Sequence, residues 1–316
     1  VKVHELYEPF IERDLASIPA ACRAFREDHS SDELFLAVSR FAVLAYAPSQ
    51  HSKHALLCCL AAHDLRDDLG DRFDDALIEC AVYITASRQP WSEPPFLEPP
   101  QLTDDQRGDV EEMLEAIDAG DRARGERWLA KRFRDDDFAR DYFAVASSDF
   151  EDLGHKLIIA NAAWRLAEIL GEKGRYAALR VGVWESVAYK GARYEEEGVA
   201  LDADTLLARL VDDVVCEQGS MTSAHAVFLL DAALGTGDAH VIRRVRDYLT
   251  SMTNELKPEC DIGSVAVDAV YRFARDCGAS FKARAVAKRL KLAPRFVAAV
   301  DWNREHGASL EDFSFA

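Results

Sequence analysis

HALLCCLAAHDLRDDLG at residues 54–70 and HKLIIANAAWRLAEILG at residues 155–171 decide the reading of the fold. Each runs 16 positions from His to Gly, and the two sit 101 residues apart. Apolar residues recur at spacings of three and four in both, as on a helix that buries one face. The closing Gly stands where a left-handed residue ends a helix. Laying 54–84 over 155–185 matches His54/His155, Leu56/Leu157, Ala61/Ala162, Ala62/Ala163, Leu65/Leu166, Leu69/Leu170, Gly70/Gly171, Ala76/Ala177 and Val82/Val183. Most of these pairs are Ala and Leu, which any two amphipathic helices share. A duplicated hairpin and two ordinary hairpins both fit. A third segment, HAVFLLDAALG from His225, follows the pattern loosely.

Upstream, residues 1–29 read as a helix with Pro9 in its first turn and Pro19 kinking or splitting it. Ser30 and Glu33 have capping-box spacing ahead of a helix over 33–47. The first copy spans 51–69, with 74–88 as its partner. PWSEPPFLEPP at 90–100 holds five of the ten prolines, so it is extended and marks a linker. Residues 105–120 and 121–133 form a hairpin about Gly120-Asp121, echoed about Gly237-Asp238. Residues 134–150 read as a charged connection into a short helix, and the second copy at 152–170 and its partner at 174–197 follow. Helices follow near 203–217, 221–234, 238–252, 263–276 and 280–291, with a last one from Pro294. Alternating strand patterns are almost absent. The expected class is all-α: a multi-helical array or bundle of packed hairpins with a pseudo-repeat. Its expected organisation is an N-terminal lobe (1–89), a Pro-rich linker (90–100) and a larger lobe (101–316), one compact domain being the alternative.

The 316 residues are 49% hydrophobic and 30% charged, which suits a globular chain with a real core. A net charge of −18 argues against nucleic acid and anionic lipid as partners, because phosphate is bound chiefly by Lys and Arg. Cys22, Cys58, Cys59, Cys80, Cys216, Cys260 and Cys277 are odd in number and contain no C-x-x-C pair. That points away from a disulfide framework or zinc knuckle and toward a reducing compartment. The first residues lack the apolar core of a signal peptide, and no run is long enough to span a bilayer. The expected location is cytoplasmic.

The histidines carry the candidate chemistry. His51 and His54 lie three apart, as do Asp152 and His155, so each pair shares a helix face. His54, His155 and His225 each open a helix. If the hairpins pack with pseudo-symmetry, these residues converge at one end as an acid/base group. His51, His54, Asp152 and His155 would there suit a transition metal. First-turn histidines are also common surface residues. Trp164 and Trp184, extended by Tyr189 and Tyr194, suit the wall of a pocket for a flat organic ligand, or plain core packing. Glu185 and Lys190 flank them as an expected exposed pair. Glu-x-x-His, His-Glu-x-x-His, phosphate-loop and dinucleotide motifs are absent. His63-Asp64, with His29, His51 and His54 upstream, resembles in fragments the HD-type metal phosphohydrolases, which are also all-helical.

A broader resemblance covers about a quarter of the chain. SQHSKHALLCCLAA (49–62), GHKLIIANAAWRLAEIL (154–170), SAHAVFLLDAAL (223–234) and VDAVYRFARDC (267–277) are similar to helices of the questin oxidase-like family of cofactor-sparing Baeyer–Villiger monooxygenases. Ala162 stands where the family pattern offers a second His, and Asp268-Ala269 where it offers Asp-His. The resemblance implies an oxidoreductase acting on an aromatic polyketide-like substrate, with part of the family's site lost or moved. It leaves the cofactor open. The alternatives are a non-enzymatic helical-repeat module that binds a protein partner on an acidic face, and the metal phosphohydrolase. Pocket enclosure separates the oxidoreductase from the binding module.

Overall fold

The structure, a computed structural model, describes residues 3–46, 53–87, 98–102, 108–195, 199–215, 221–252 and 285–291, with only the backbone at 3–4, 152–153, 211–215 and 221–224. Among the described residues there are fourteen α-helices, a further helical stretch at 285–289 within the helix expected near 280–291, and no strand, as the sequence pattern predicts. In order they are α1 (Val3–Glu12), α2 (Ile18–Asp28), α3 (Ser31–Ala45), α4 (Lys53–Asp64), α5 (Arg66–Leu69), α6 (Phe73–Ser87), α7 (Val110–Ala119), α8 (Arg122–Arg132), α9 (Phe138–Ala146), α10 (His155–Leu170), α11 (Glu172–Ala188), α12 (Ala203–Val215), α13 (Met221–Thr236) and α14 (Ala239–Met252). The expected helices at 263–276 and beyond Pro294 lie outside the described residues, as does most of the Pro-rich stretch. No helix among the described residues is long and apolar enough to cross a membrane.

The chain divides into two compact units, 1–95 with 266–288 and 304–316, and 96–265 with 289–303. In the first unit α6 packs on α2, α3 and α4. Leu6, Phe10, Phe25, Leu34, Phe41, Leu77 and Ile84 fill its core. The capping box is present: the Glu33 amide donates to Ser30 Oγ at 3.2 Å, and the Ser30 amide to Glu33 Oε2 at 2.8 Å. Pro19 sits in the first turn of α2, where its missing N–H would have had no helical partner, so it starts a new helix. Pro9 lies inside α1, not in its first turn.

The expected unbroken helix over 51–69 is interrupted. α4 stops at Asp64, α5 takes one turn, and a 3₁₀ turn follows over Gly70–Arg72. Asp64, Asp67 and Asp68 bring carboxylates to what would be the negative end of a helix dipole, which disfavours extension. The second copy offers Arg165, Glu168 and Ile169 at the matching positions, and α10 runs intact to Leu170.

In the second unit the α10–α11 hairpin is central. α9 and α13 pack on α10, α7 and α8 on α11, and α12 and α14 on α13. Gly182 permits a close approach of α11 to α10 and α9: a Cβ there would lie 3.0 Å from the Ala160 Cα and 2.0 Å from the Tyr142 hydroxyl. The two Gly-Asp turns share one chemistry. Gly120 and Gly237 are left-handed (φ 65° each), and Asp121 and Asp238 accept backbone N–H groups of the next helix.

Candidate functional site

The site is built where α10 begins. Gly154 precedes His155 in a left-handed conformation, φ 77°. A side chain there would also collide with Leu229 of α13, at 2.7 Å. Glycine thus lets the start of α10 press on α13. Leu229 lies four residues after His225, so both share the α13 face that meets α10. As a result the His155 and His225 rings approach to 4.9 Å between centroids, tilted by 56°. Both side chains are buried, at 2% and 7% exposure.

His155 opens α10, as expected, but α13 begins at Met221, so His225 lies one turn inside its helix and does not open it. His54 lies in the first turn of α4, in the first unit, and is half-buried. His51 and the Asp152 side chain lie outside what is described. Among the described residues no group of three or more His, Cys, Asp and Glu side chains is arranged to hold a metal ion.

Next to the imidazoles in sequence is a buried ion pair. Lys156 Nζ donates to Asp149 Oδ2 at 2.6 Å, with side-chain exposures of 0% and 3%. Asp149 Oδ1 also accepts the Glu151 amide at 3.1 Å, fixing the 3₁₀ turn Glu151–Gly154 that delivers His155. Imidazole is a side chain able both to take and to give a proton near neutral pH, which is the chemistry two such rings bring to one place.

The tryptophans are held by different helices and do not share a wall. Trp164 packs on Tyr142 and Phe143 of α9, under the Arg175 guanidinium. Trp184 is buried facing α8, where its indole N–H donates to Glu126 Oε1. Arg122 and Arg180 lie over the Trp184 ring at 5.0 and 4.6 Å. Burial raises the Glu126 carboxyl above the ordinary range, against the opposing pull of the Trp184 bond and of Arg180 and Arg122. Tyr194 stands apart with Phe150 and Tyr248, its hydroxyl bonded to Asp247 at 2.9 Å. The expected exposed pair is corrected. Glu185 is fully buried on the α11 face turned into the unit, whereas Lys190 lies past the helix end and donates to the Asp118 carbonyl.

In the first unit, His63 stacks on Phe35 at 4.7 Å, and the Asp64 carbonyl faces Lys288. A surface cleft of about 520 Å³ is lined by residues including Arg26, Arg66, Asp71 and Asp74. Its arginines are already engaged, Arg26 by Asp74 at 2.7 Å and Arg66 by Asp32. None of the histidines or tryptophans singled out in the sequence lines it.

The Asp149–Lys156 pair and the Glu126–Arg180 network were missed from sequence. One signal existed for the first: Lys156 is the single charge in the run from Leu153 to Ala163 apart from the histidine. Comparison with protein-family models, with curated proteins and with solved structures finds no match to this chain.

Proposed function

We propose that the chain is an acid–base enzyme whose reacting groups are His155 and His225, acting on a flat organic molecule in an oxidation of the questin oxidase-like kind. The observation that carries the reading is the contact between two buried imidazoles from separate helices. Packing alone does not require two polar rings buried against each other where α10 meets α13. Two of the four segments that resemble the family, 154–170 and 223–234, are the helices that supply this pair. In this reading dioxygen is the oxidant and an added reduced nicotinamide supplies the two electrons that take its second oxygen atom to water, while one imidazole removes a hydroxyl proton from the substrate and the other returns a proton to the product. We place the protein in the cytoplasm, where the buried thiols Cys22, Cys58, Cys59 and Cys80 stay reduced.

The test is dioxygen consumption with a reduced nicotinamide and a panel of polycyclic phenols and hydroxyquinones. Wild type is compared with His155→Asn, His225→Asn and Trp164→Phe. Turnover that is lost in both histidine variants and kept in the tryptophan variant supports the proposal. Turnover insensitive to both histidines refutes it. Protein ligands captured without any turnover would favour the binding module.

A further inference from the structure

We infer that residues 189–195 are a gate on the His155–His225 site, clasped over the turn that leads into α10. The inference rests on the acid–base reading above. Both imidazoles are buried, at 2% and 7% exposure, so a molecule that reaches them needs part of the fold to move. Residues 189–195, which follow α11, form neither helix nor turn and lie against 148–151, the chain just before His155. At one end Lys190 Nζ donates to the Asp118 carbonyl at 2.7 Å, and Arg193 to Asp118 Oδ2 at 3.3 Å. In the middle Gly191 rests on the turn: a Cβ there would meet Glu151 Cβ at 2.9 Å and Asp149 Oδ1 at 3.1 Å. At the other end the Tyr194 amide donates to the Ser148 carbonyl at 2.8 Å, and the Tyr194 ring packs edge-on against Phe150.

Arg244 of α14 closes the clasp. Its guanidinium donates to the Ser148 carbonyl at 3.3 Å and to the Tyr194 carbonyl at 3.1 Å, so one side chain staples the two segments together. These ties are mostly polar, and polar ties exchange for bonds to water at small net cost, whereas the apolar faces of α10 and α11 do not. The clasp is therefore the part of this neighbourhood that opens first. Asp149 and Glu151 of the covered turn set the path of the chain into His155. Lifting 189–195 uncovers that turn and frees the start of α10, which exposes His155 and the face of His225 turned toward it. Closure excludes water from the imidazoles once the substrate is in place.

The test is the rate at which diethyl pyrocarbonate acylates each histidine of the full chain, read by peptide mass spectrometry. It needs no turnover, so the gate and the proposed reaction fail separately. Arg244→Met removes the staple and should speed labelling of His155 and His225 by roughly 2- to 10-fold, the net worth of one hydrogen bond, with His63 and His240 unchanged. Glu151→Cys with Gly191→Cys places two thiols where a disulfide locks 189–195 to the turn. The oxidised pair should label at His155 and His225 more slowly than wild type, and reduction with dithiothreitol should restore the rate. Circular dichroism checks that Arg244→Met is folded; if it is not, the locked pair decides. The proposal is overturned by His155 and His225 labelling as fast as the exposed His240 in wild type, by a folded Arg244→Met that labels like wild type, by a cysteine pair that does not cross-link, or by a locked protein whose labelling is unchanged.

Discussion

Replacing Asp149 by Asn tests the frame that holds the candidate site. Asn keeps an oxygen at Oδ1 for the Glu151 amide, so the turn before α10 retains its cap. What disappears is the carboxylate 2.6 Å from an ammonium with no exposed surface. Removing one partner of a buried pair leaves an uncompensated charge and costs about 3–5 kcal/mol. For a unit of this size each kcal/mol moves the melting temperature by roughly 2–4 °C. Asp149→Asn should therefore lower the Tm of the second unit by roughly 6–20 °C. Lys156→Met in the Asp149→Asn background removes the stranded charge and should recover most of that loss. The assay is urea and thermal unfolding followed by circular dichroism and by the fluorescence of Trp184, which is buried in the same unit. A loss under about 1 kcal/mol, the range of solvated surface pairs, would refute the reasoning. So would a double variant no more stable than Asp149→Asn.

The Glu126 carboxyl, raised by burial, binds its proton more tightly in the folded chain than in the unfolded one. Its contribution to stability is thus full below the ordinary Glu value and is lost as pH rises through the raised folded value. Urea unfolding at a series of pH values should show wild type losing stability relative to Glu126→Gln over that window, and a flat difference would be contrary. Gly182→Ala drives a methyl into the Tyr142 hydroxyl and the Ala160 backbone, which should cost about 1–3 kcal/mol. Adding Tyr142→Phe should return part of it, measured as a double-mutant cycle. Leu166→Ala, at a buried position of α10, should cost about 2–5 kcal/mol by the same denaturation assay.

The helical class, the capping box at Ser30 and the Gly-Asp turns were legible because each rests on local spacing: periodicity three or four, a side chain three residues from an amide, a glycine at a left-handed position. The break after Asp64 was not read, because the apolar pattern continues through it and only the crowding of carboxylates against the helix dipole opposes it. Of the three candidate catalytic histidines, two meet. His155 and His225 are 70 residues apart, and their meeting depends on Gly154 letting α10 reach α13, a tertiary fact. The shared tryptophan wall failed for the same reason. Trp164 and Trp184 look adjacent on a helical hairpin, but α9 and α8 each claim one. The buried charges Glu126, Arg180 and Glu185 read in sequence like an ordinary solvated face, since their partners lie on other helices.

The central claim is that His155 and His225 act as one proton-handling unit. Histidine-ring NMR titration of wild type, His155→Asn and His225→Asn tests it most directly. At a ring separation of 4.9 Å, a charge gained by one imidazole is felt by the other, so the account expects each ring's resonances to respond when its neighbour is removed. The account predicts that removing either ring makes the remaining one easier to protonate, while the His63 and His240 resonances stay where they were. Two rings that titrate independently, each unchanged when the other is removed, would contradict it.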